Sequence, residues 1–175
     1  MLASKPSRHV VAVILLALVL GVSQATVAQD VGLPPWREPL RPPPPEATIT
    51  VSEEALRVQV VQEIPDVTLG LGYRNGLEPG TGMLFLFDQT STQSFWMKGM
   101  RFCLDIVWIT DNQILGAAEG ACPDPPGTED ADRASYVSPG PVEYVLEVPA
   151  GWLDEHGLGN GTPVDLSGID PIVLG

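Results

Sequence analysis

From Ala47 onward, apolar and polar residues alternate with a period of two over several short runs, the spacing of half-buried strands. Thr48-Ile49-Thr50-Val51 and Leu56-Arg57-Val58-Gln59-Val60 are the first two runs. Further strands are predicted over Met83 to Phe87, Ser94 to Met97, Leu104 to Ile109, Gln113 to Ala118, Val142 to Val148 and Thr162 to Leu166. The first of these is entered through the glycine-rich turn Pro79-Gly80-Thr81-Gly82, and Asp111-Asn112 reads as a tight turn joining two others. Two stretches break the alternation. Pro65 to Arg74 is compatible with a short helix carrying Pro65 in its first turn, although two glycines weaken it. Ala150 to His156 makes a helical turn that Gly157 stops. Cys122 to Pro141 is polar and proline-rich and reads as a loop. Many short strands separated by Gly and Pro predict a mostly β (α+β) fold: a small barrel-like β domain with one or two short helices.

The most apolar stretch of this region runs from Phe95 to Ile109, and three charges interrupt it: Lys98, Arg101 and Asp105. Strand alternation puts Leu104, Ile106 and Trp108 on one face and Asp105, Val107 and Ile109 on the other. Both faces are apolar except for Asp105, so the strand is expected to be buried on both sides. A carboxylate there must be paired or must cap backbone N–H groups. Lys98, Arg101 and Arg74 are the available cations. One reading is a buried bridge from Asp105 to Lys98 or Arg74 that fixes strand register. The other is a ligand cleft built from Trp96, Lys98 and Asp105 with Arg74 nearby, an aromatic platform beside a charge pair. Trp96 and Lys98 share one face by alternation, which the cleft requires and the bridge merely permits.

The N-terminus is of another kind. Lys5 and Arg8 precede an apolar core of 13 residues, Val10 to Val22, and a small-residue site at Ser23-Gln24-Ala25 or Thr26-Val27-Ala28. This is the pattern of a secretory signal, and the core is short against the roughly 20 apolar residues of a membrane span. Seven prolines fall within Leu33 to Pro45, a composition that favours an extended polyproline II spacer. The expected organisation is therefore a signal peptide at 1–28, a proline-rich linker at 29–46, one β-barrel-like domain at 47–168 and a tail at 169–175. The expected location is secreted or extracytoplasmic, in the cell envelope, with membrane contact only through the leader should it stay uncleaved as an anchor.

Beyond the leader the chain holds 7 basic and 22 acidic residues, and Lys98 is its only lysine. Such a field repels phosphate backbones, so nucleic acid is not expected as a partner. The two cysteines can be placed by register. With Asp111-Asn112 as a two-residue turn, paired residue numbers sum to 223, so Cys103 faces Gly120 and Cys122 lies two residues further along the same face. A modest bend would join the sulfurs, and in an exported protein a disulfide is the expected outcome. A reactive thiol pair is the alternative, though the spacing is not that of a redox motif.

Motifs for catalysis are sparse. His156 is the only histidine beyond the leader, near a helix end where it would meet the last carbonyls. There is no G-x-S-x-G, H-E-x-x-H or P-loop pattern. One histidine and one cysteine pair do not make a transition-metal site. Asp124, Glu129, Asp130 and Asp132 crowd the long loop without EF-hand spacing, which a solvated acidic loop explains more simply than calcium. No catalytic residue, metal or cofactor is assigned.

Phe95-Trp96-Met97-Lys98-Gly99-Met100 followed by Leu104-Asp105-Ile106 resembles the F-W-M-K-N-x-x-x-P-L-D-I signature of the domain of unknown function 192 family. Gly70-Leu71 with Arg74, Gly82-Met83-Leu84-Phe85 and Val145 to Gly151 match further elements of that family in order, over roughly residues 50 to 166. The resemblance implies a compact, mostly β barrel-like domain, often exported, and brings no catalytic assignment. Gly99 stands where the family usually has Asn, and Cys103 where it usually has Pro, which fits a lineage-specific disulfide to Cys122. The leading functional expectation is a non-enzymatic binding or accessory module of the cell envelope that engages a small molecule or envelope glycan. The alternatives are a hydrolase-type enzyme using Asp105 with Lys98 or Glu147, and a purely structural interaction domain.

Overall fold

A computed structural model describes residues 43–169. The expected signal peptide, most of the expected proline-rich linker and residues 170–175 lie outside the described residues. Within them the strands are β1 (Glu46–Val51), β2 (Glu54–Val61), β3 (Thr81–Ser91), β4 (Ser94–Trp96), β5 (Leu104–Thr110), β6 (Gln113–Ala121), β7 (Ser135–Val137), β8 (Val142–Pro149) and β9 (Val164–Asp165). The helices are α1 (Ile64–Leu69) and α2 (Trp152–His156), with short 3-10 turns at Asp130–Asp132 and Ser167–Ile169.

Seven strands form one curled sheet in the order β6-β5-β8-β3-β2-β1-β9, and β4 pairs with β7 in a separate ribbon. Every pair in the large sheet is antiparallel except β2 with β3. That parallel pair needs a crossover, and α1 lies on it. The helix has Pro65 in its first turn as expected, but it ends at Leu69, where Gly70 takes a φ of +50°. The sheet curls far enough for one segment to touch both ends. Residues 164 and 165 pair with β1, while the Val164 N–H donates to the Asn112 carbonyl in the β5–β6 turn and the Ile114 N–H to the Thr162 carbonyl. The result is a half-barrel, the barrel-like architecture expected from the strand pattern.

Alternation sorts the core into two layers. Val58, Leu84, Leu146, Val107 and Ile109 face the enclosed side, capped by Trp152 and Leu153 of α2 and by Val164, Leu166 and Ile169. Val61, Met83, Phe85, Leu104, Ile106, Trp108 and Val145 face the other side, beneath Leu71, Met97, Phe95 and Tyr136. From Leu104 to Ile109 every β5 residue is buried, as the two apolar faces of that strand require.

The β5–β6 turn has the predicted two residues, Asp111 and Asn112, at φ of +49° and +56°. Thr110 faces Gln113 and Ile109 faces Ile114, both sums being 223. One extra residue on β6, Leu115, then moves Trp108 opposite Gly116, and a second slip moves Leu104 opposite Ala121. The register sum has become 225, so Cys103 falls opposite Cys122 rather than Gly120. The two are joined by a disulfide with Cα atoms 4.0 Å apart. The bulges, rather than a bend in the loop, bring the sulfurs together.

The loop from Cys122 to Pro141 has more structure than its polarity indicated. It contains a 3-10 turn and the strand β7, whose Tyr136 faces the core while Ser135 and Val137 face outward. Three residues are too few to display a period.

Candidate functional site

The F-W-M-K segment begins on β4. Phe95 points inward, edge-on to Phe85 at 5.0 Å, Trp108 at 5.7 Å and Phe87 at 6.5 Å between ring centroids. Alternation then turns Trp96 outward, where it is 46% exposed, and Met97 inward, where it is buried. Beyond the strand, Lys98 folds back over the indole with Nζ 5.0 Å from the ring centroid. The same ammonium pairs with Asp130 from the long loop. Gly99 holds a φ of +77°, with the Tyr73 ring 3.2 Å from where a Cβ would stand, so a side chain there would press on that ring. Across the ribbon, Ser94 and Ser135 share a hydroxyl hydrogen bond of 2.7 Å beside the indole.

Arg133 organises the loop behind Lys98. Its guanidinium donates to Asp130 at 2.9 Å, to Asp124 at 3.2 Å and to the Thr128 carbonyl at 2.8 Å. Hydrogen bonds from Lys98 and then Arg133 hold the Asp130 carboxyl below the usual carboxylate range. Two acids of the acidic loop are thus engaged by cations, an arrangement that sequence spacing did not signal. Among the described residues no group of three metal-ligating side chains forms.

Asp105 does not join this surface. It lies on the enclosed face with Val107 and Ile109, fully buried, and bridges neither Lys98 nor Arg74. Its carboxylate accepts from two backbone groups, the Gly120 N–H at 2.9 Å and the Leu153 N–H at 3.2 Å. Gly120 sits in the bulge at φ +61°, and Leu153 is in the first turn of α2, whose own N-cap residue, Gly151, provides no side-chain cap. Asp105 therefore caps α2 from a neighbouring strand and stitches that helix to the bulge. The backbone-capping alternative holds, and the register-fixing ion pair does not.

Arg74 also turns away from Trp96. The Tyr73 N–H donates to the Gly99 carbonyl, placing the two segments side by side, but the Arg74 Nη2 reaches Gln59 Oε1 at 2.7 Å on β2. Gln59, Met83, Glu147 and Ile106 form one transverse row across β2, β3, β8 and β5. Glu147 is buried, and its Oε2 has no hydrogen-bond partner among the described residues. Burial pushes its carboxyl up to about 8, with the Arg74 charge opposing the rise. Its placement was legible in the alternation of β8, which turns Val145 and Glu147 to the same side. A cleft of about 220 Å³ lies here, with Arg57, Gln59, Arg74 and Leu77 in its walls. A second cleft, of about 360 Å³, runs past Leu77 to Trp152, Glu54, Glu155 and His156. His156 Nδ1 lies 2.8 Å from the Trp152 carbonyl, the helix-end contact expected for it, and Nε2 lies 3.8 Å from Glu54.

The family profile of the domain of unknown function 192 (DUF192), described as an uncharacterized ACR, matches residues 47–166. The chain belongs to this family. Two crystal structures share its fold. One, from Sinorhizobium meliloti 1021, is described as a candidate transcription regulator. It is 27% identical, with a TM-score of 0.64, over 72% of this chain and 97% of that one. The other, a protein of unknown function from Novosphingobium aromaticivorans DSM 12444, is 23% identical with a TM-score of 0.60, over 77% of this chain and 99% of that one. No curated protein matches the chain. In this member of the DUF192 family, the signature segment divides its polar residues between the two faces of the sheet. Trp96 and Lys98 come together at the surface, Asp105 goes to the enclosed face, and Arg74 joins Gln59 and Glu147.

Proposed function

We propose that this protein is an exported, non-enzymatic binding module of the cell envelope whose Trp96–Lys98 surface engages a glycan. The observation that carries the reading is the exposed indole held on a paired strand, with Phe95 anchored in the core one residue before it. An exposed indole anchored on a paired strand, with a polar edge beside it, offers a stacking platform. A sugar ring stacks on such a face. Ser94, Ser135 and the Lys98–Asp130 pair supply hydroxyl, ammonium and carboxylate groups around it. Export is supported by the leader pattern and proline-rich spacer in the sequence and is compatible with the disulfide. No helix among the described residues is long and apolar enough to cross a membrane.

The description of the Sinorhizobium meliloti relative points to a nucleic-acid partner, which the excess of acidic over basic residues in this chain disfavours. The hydrolase alternative has less support than binding. Asp105 and Glu147 lie on opposite faces of the sheet and Lys98 is at the surface, so the three groups do not converge. Titration of the protein with envelope oligosaccharides, followed by calorimetry, tests the reading. Saturable binding that is lost in Trp96→Ala and weakened in Lys98→Met is expected. An unchanged affinity in Trp96→Ala would sink it.

A further inference from the structure

The Arg74 guanidinium is more than half buried, yet among the described residues it spends one N–H on Gln59 and makes no other hydrogen bond. A guanidinium carries five N–H donors in a planar fork suited to a two-oxygen acceptor. Glu147, the acid nearest in effect, does not fill that role. Its Oε2 has no hydrogen-bond partner among the described residues, and its burial favours the neutral acid. The remaining N–H donors of Arg74 are left for a cleft of about 220 Å³ that its side chain lines. Arg57 enters the same cleft from β2, with Gln59 and Thr81 as polar wall and Leu77 as apolar wall.

We propose that this cleft binds a small monocarboxylate, its two oxygens on the Arg74 fork, its charge shared with Arg57 and its short apolar body against Leu77. The other charged groups around the site select the charge of the ligand. Glu46, 4.0 Å from Arg57, and Glu78 also line the cleft, and the chain as a whole is strongly acidic. These carboxylates repel a dianion more than a monoanion. The carboxylate belongs to a free small acid or to the C-terminus of a short peptide, which present the same group. The cleft is distinct from the Trp96–Lys98 surface, so either site can fail without the other.

The test is NMR of the arginine side-chain N–H groups of the full protein, titrated at pH 6.5 with sodium propionate, with sodium chloride and sodium phosphate at matched ionic strength as controls. A C-terminally free and a C-terminally amidated tripeptide form a further pair. A saturable propionate shift is expected, abolished in Arg74→Gln and weakened at least fivefold in Arg57→Gln. Stronger binding by the free than the amidated peptide identifies a chain end as the ligand source, absent peptide binding assigns the site to free acids, and equal binding of the two peptides overturns the proposal because no carboxylate is then being read. The absence of a saturable propionate shift overturns the proposal, as does an equal response to phosphate or chloride. Should Arg74→Gln fail to fold, Arg57→Gln and Gln59→Ala carry the test. An unchanged propionate affinity in both overturns it.

Discussion

Replacing Glu147 by Gln separates a buried neutral acid from a buried ion pair. Glu147 is 6% exposed, and burial moves its carboxyl from 4.5 to about 8 against the opposing field of Arg74. The folded-state pKa is raised, so the folded protein binds the proton more tightly than the unfolded chain. That contribution is complete below about pH 4.5 and is lost as pH rises through about 8. One pKa unit corresponds to about 1.4 kcal/mol, so the whole window represents up to about 5 kcal/mol, less whatever relaxation and water entry recover. Roughly 3 kcal/mol of this is gone by pH 7 and a further 1–2 kcal/mol by pH 9. Glu147→Gln keeps the shape of the acid and cannot ionise. Urea unfolding of wild type and variant between pH 5 and 9 should therefore give diverging curves, with the variant gaining relative stability steadily as pH rises. Titrations common to both proteins cancel in the difference. A difference that stays constant across the range would refute the neutral assignment. An ionised carboxylate held by Arg74 would instead let the wild type gain on the variant only below about pH 5, as pH rises through the unfolded-state value, and leave the difference flat above it.

Three further outcomes follow from the same geometry. Asp105→Ala leaves the buried Leu153 N–H without an acceptor and removes the part-buried bond from the Gly120 N–H, and should cost about 1–3 kcal/mol in urea unfolding; hydrogen exchange should quicken first at the start of α2. Lys98→Met removes a pair whose side chains are 41% and 55% exposed, so stability should stay within about 1 kcal/mol of wild type. A loss of several kcal/mol there would show that Lys98 supports the fold. Removing the disulfide with Cys103→Ser and Cys122→Ser should cost about 3 kcal/mol in the chain-entropy model, while mass spectrometry of the unreduced wild type should find no alkylatable thiol.

Strand positions were legible because burial on one face imposes a period of two, and the alternation of Leu56 to Val60 and of Val142 to Val148 survives in the two core layers. The doubly buried β5 was legible for the complementary reason, an apolar run broken by one acid. Pairing was less so. Nothing in alternation states that β2 and β3 run parallel, because that follows from the path of the crossover carrying α1. β7 escaped notice because its inward-facing signal is one residue, Tyr136. For the candidate site, the sequence could say that Asp105 needed a partner but not which one. Side-chain partners follow from which face meets which element. Alternation put Trp96 on the outer face, whereas Lys98 lies beyond the strand, and its place over the indole, like the contacts of Arg74 with Gln59 and of Lys98 with Asp130, depends on loop paths that no period encodes.

The bulges in β6 explain why the signature segment can hold an acid at its most apolar point. An unbroken hairpin would pair Asp105 with residue 118 and leave its carboxylate without the Gly120 donor. The slip between Leu104 and Ile106 instead sets Asp105 opposite two residues and brings the Gly120 N–H to within 2.9 Å of its carboxylate. The same slip advances β6 by the residue needed to bring Cys122 opposite Cys103, so the disulfide closes just beyond the bulge and holds it. Asp105 then passes the constraint to α2 through the Leu153 N–H, and α2 places Trp152 and His156 along the second cleft. Trp96 and Lys98 are on the other side of the sheet and outside this chain of contacts. Substitutions at Trp96 and Lys98 are therefore expected to leave the bulge, the cap and the disulfide intact.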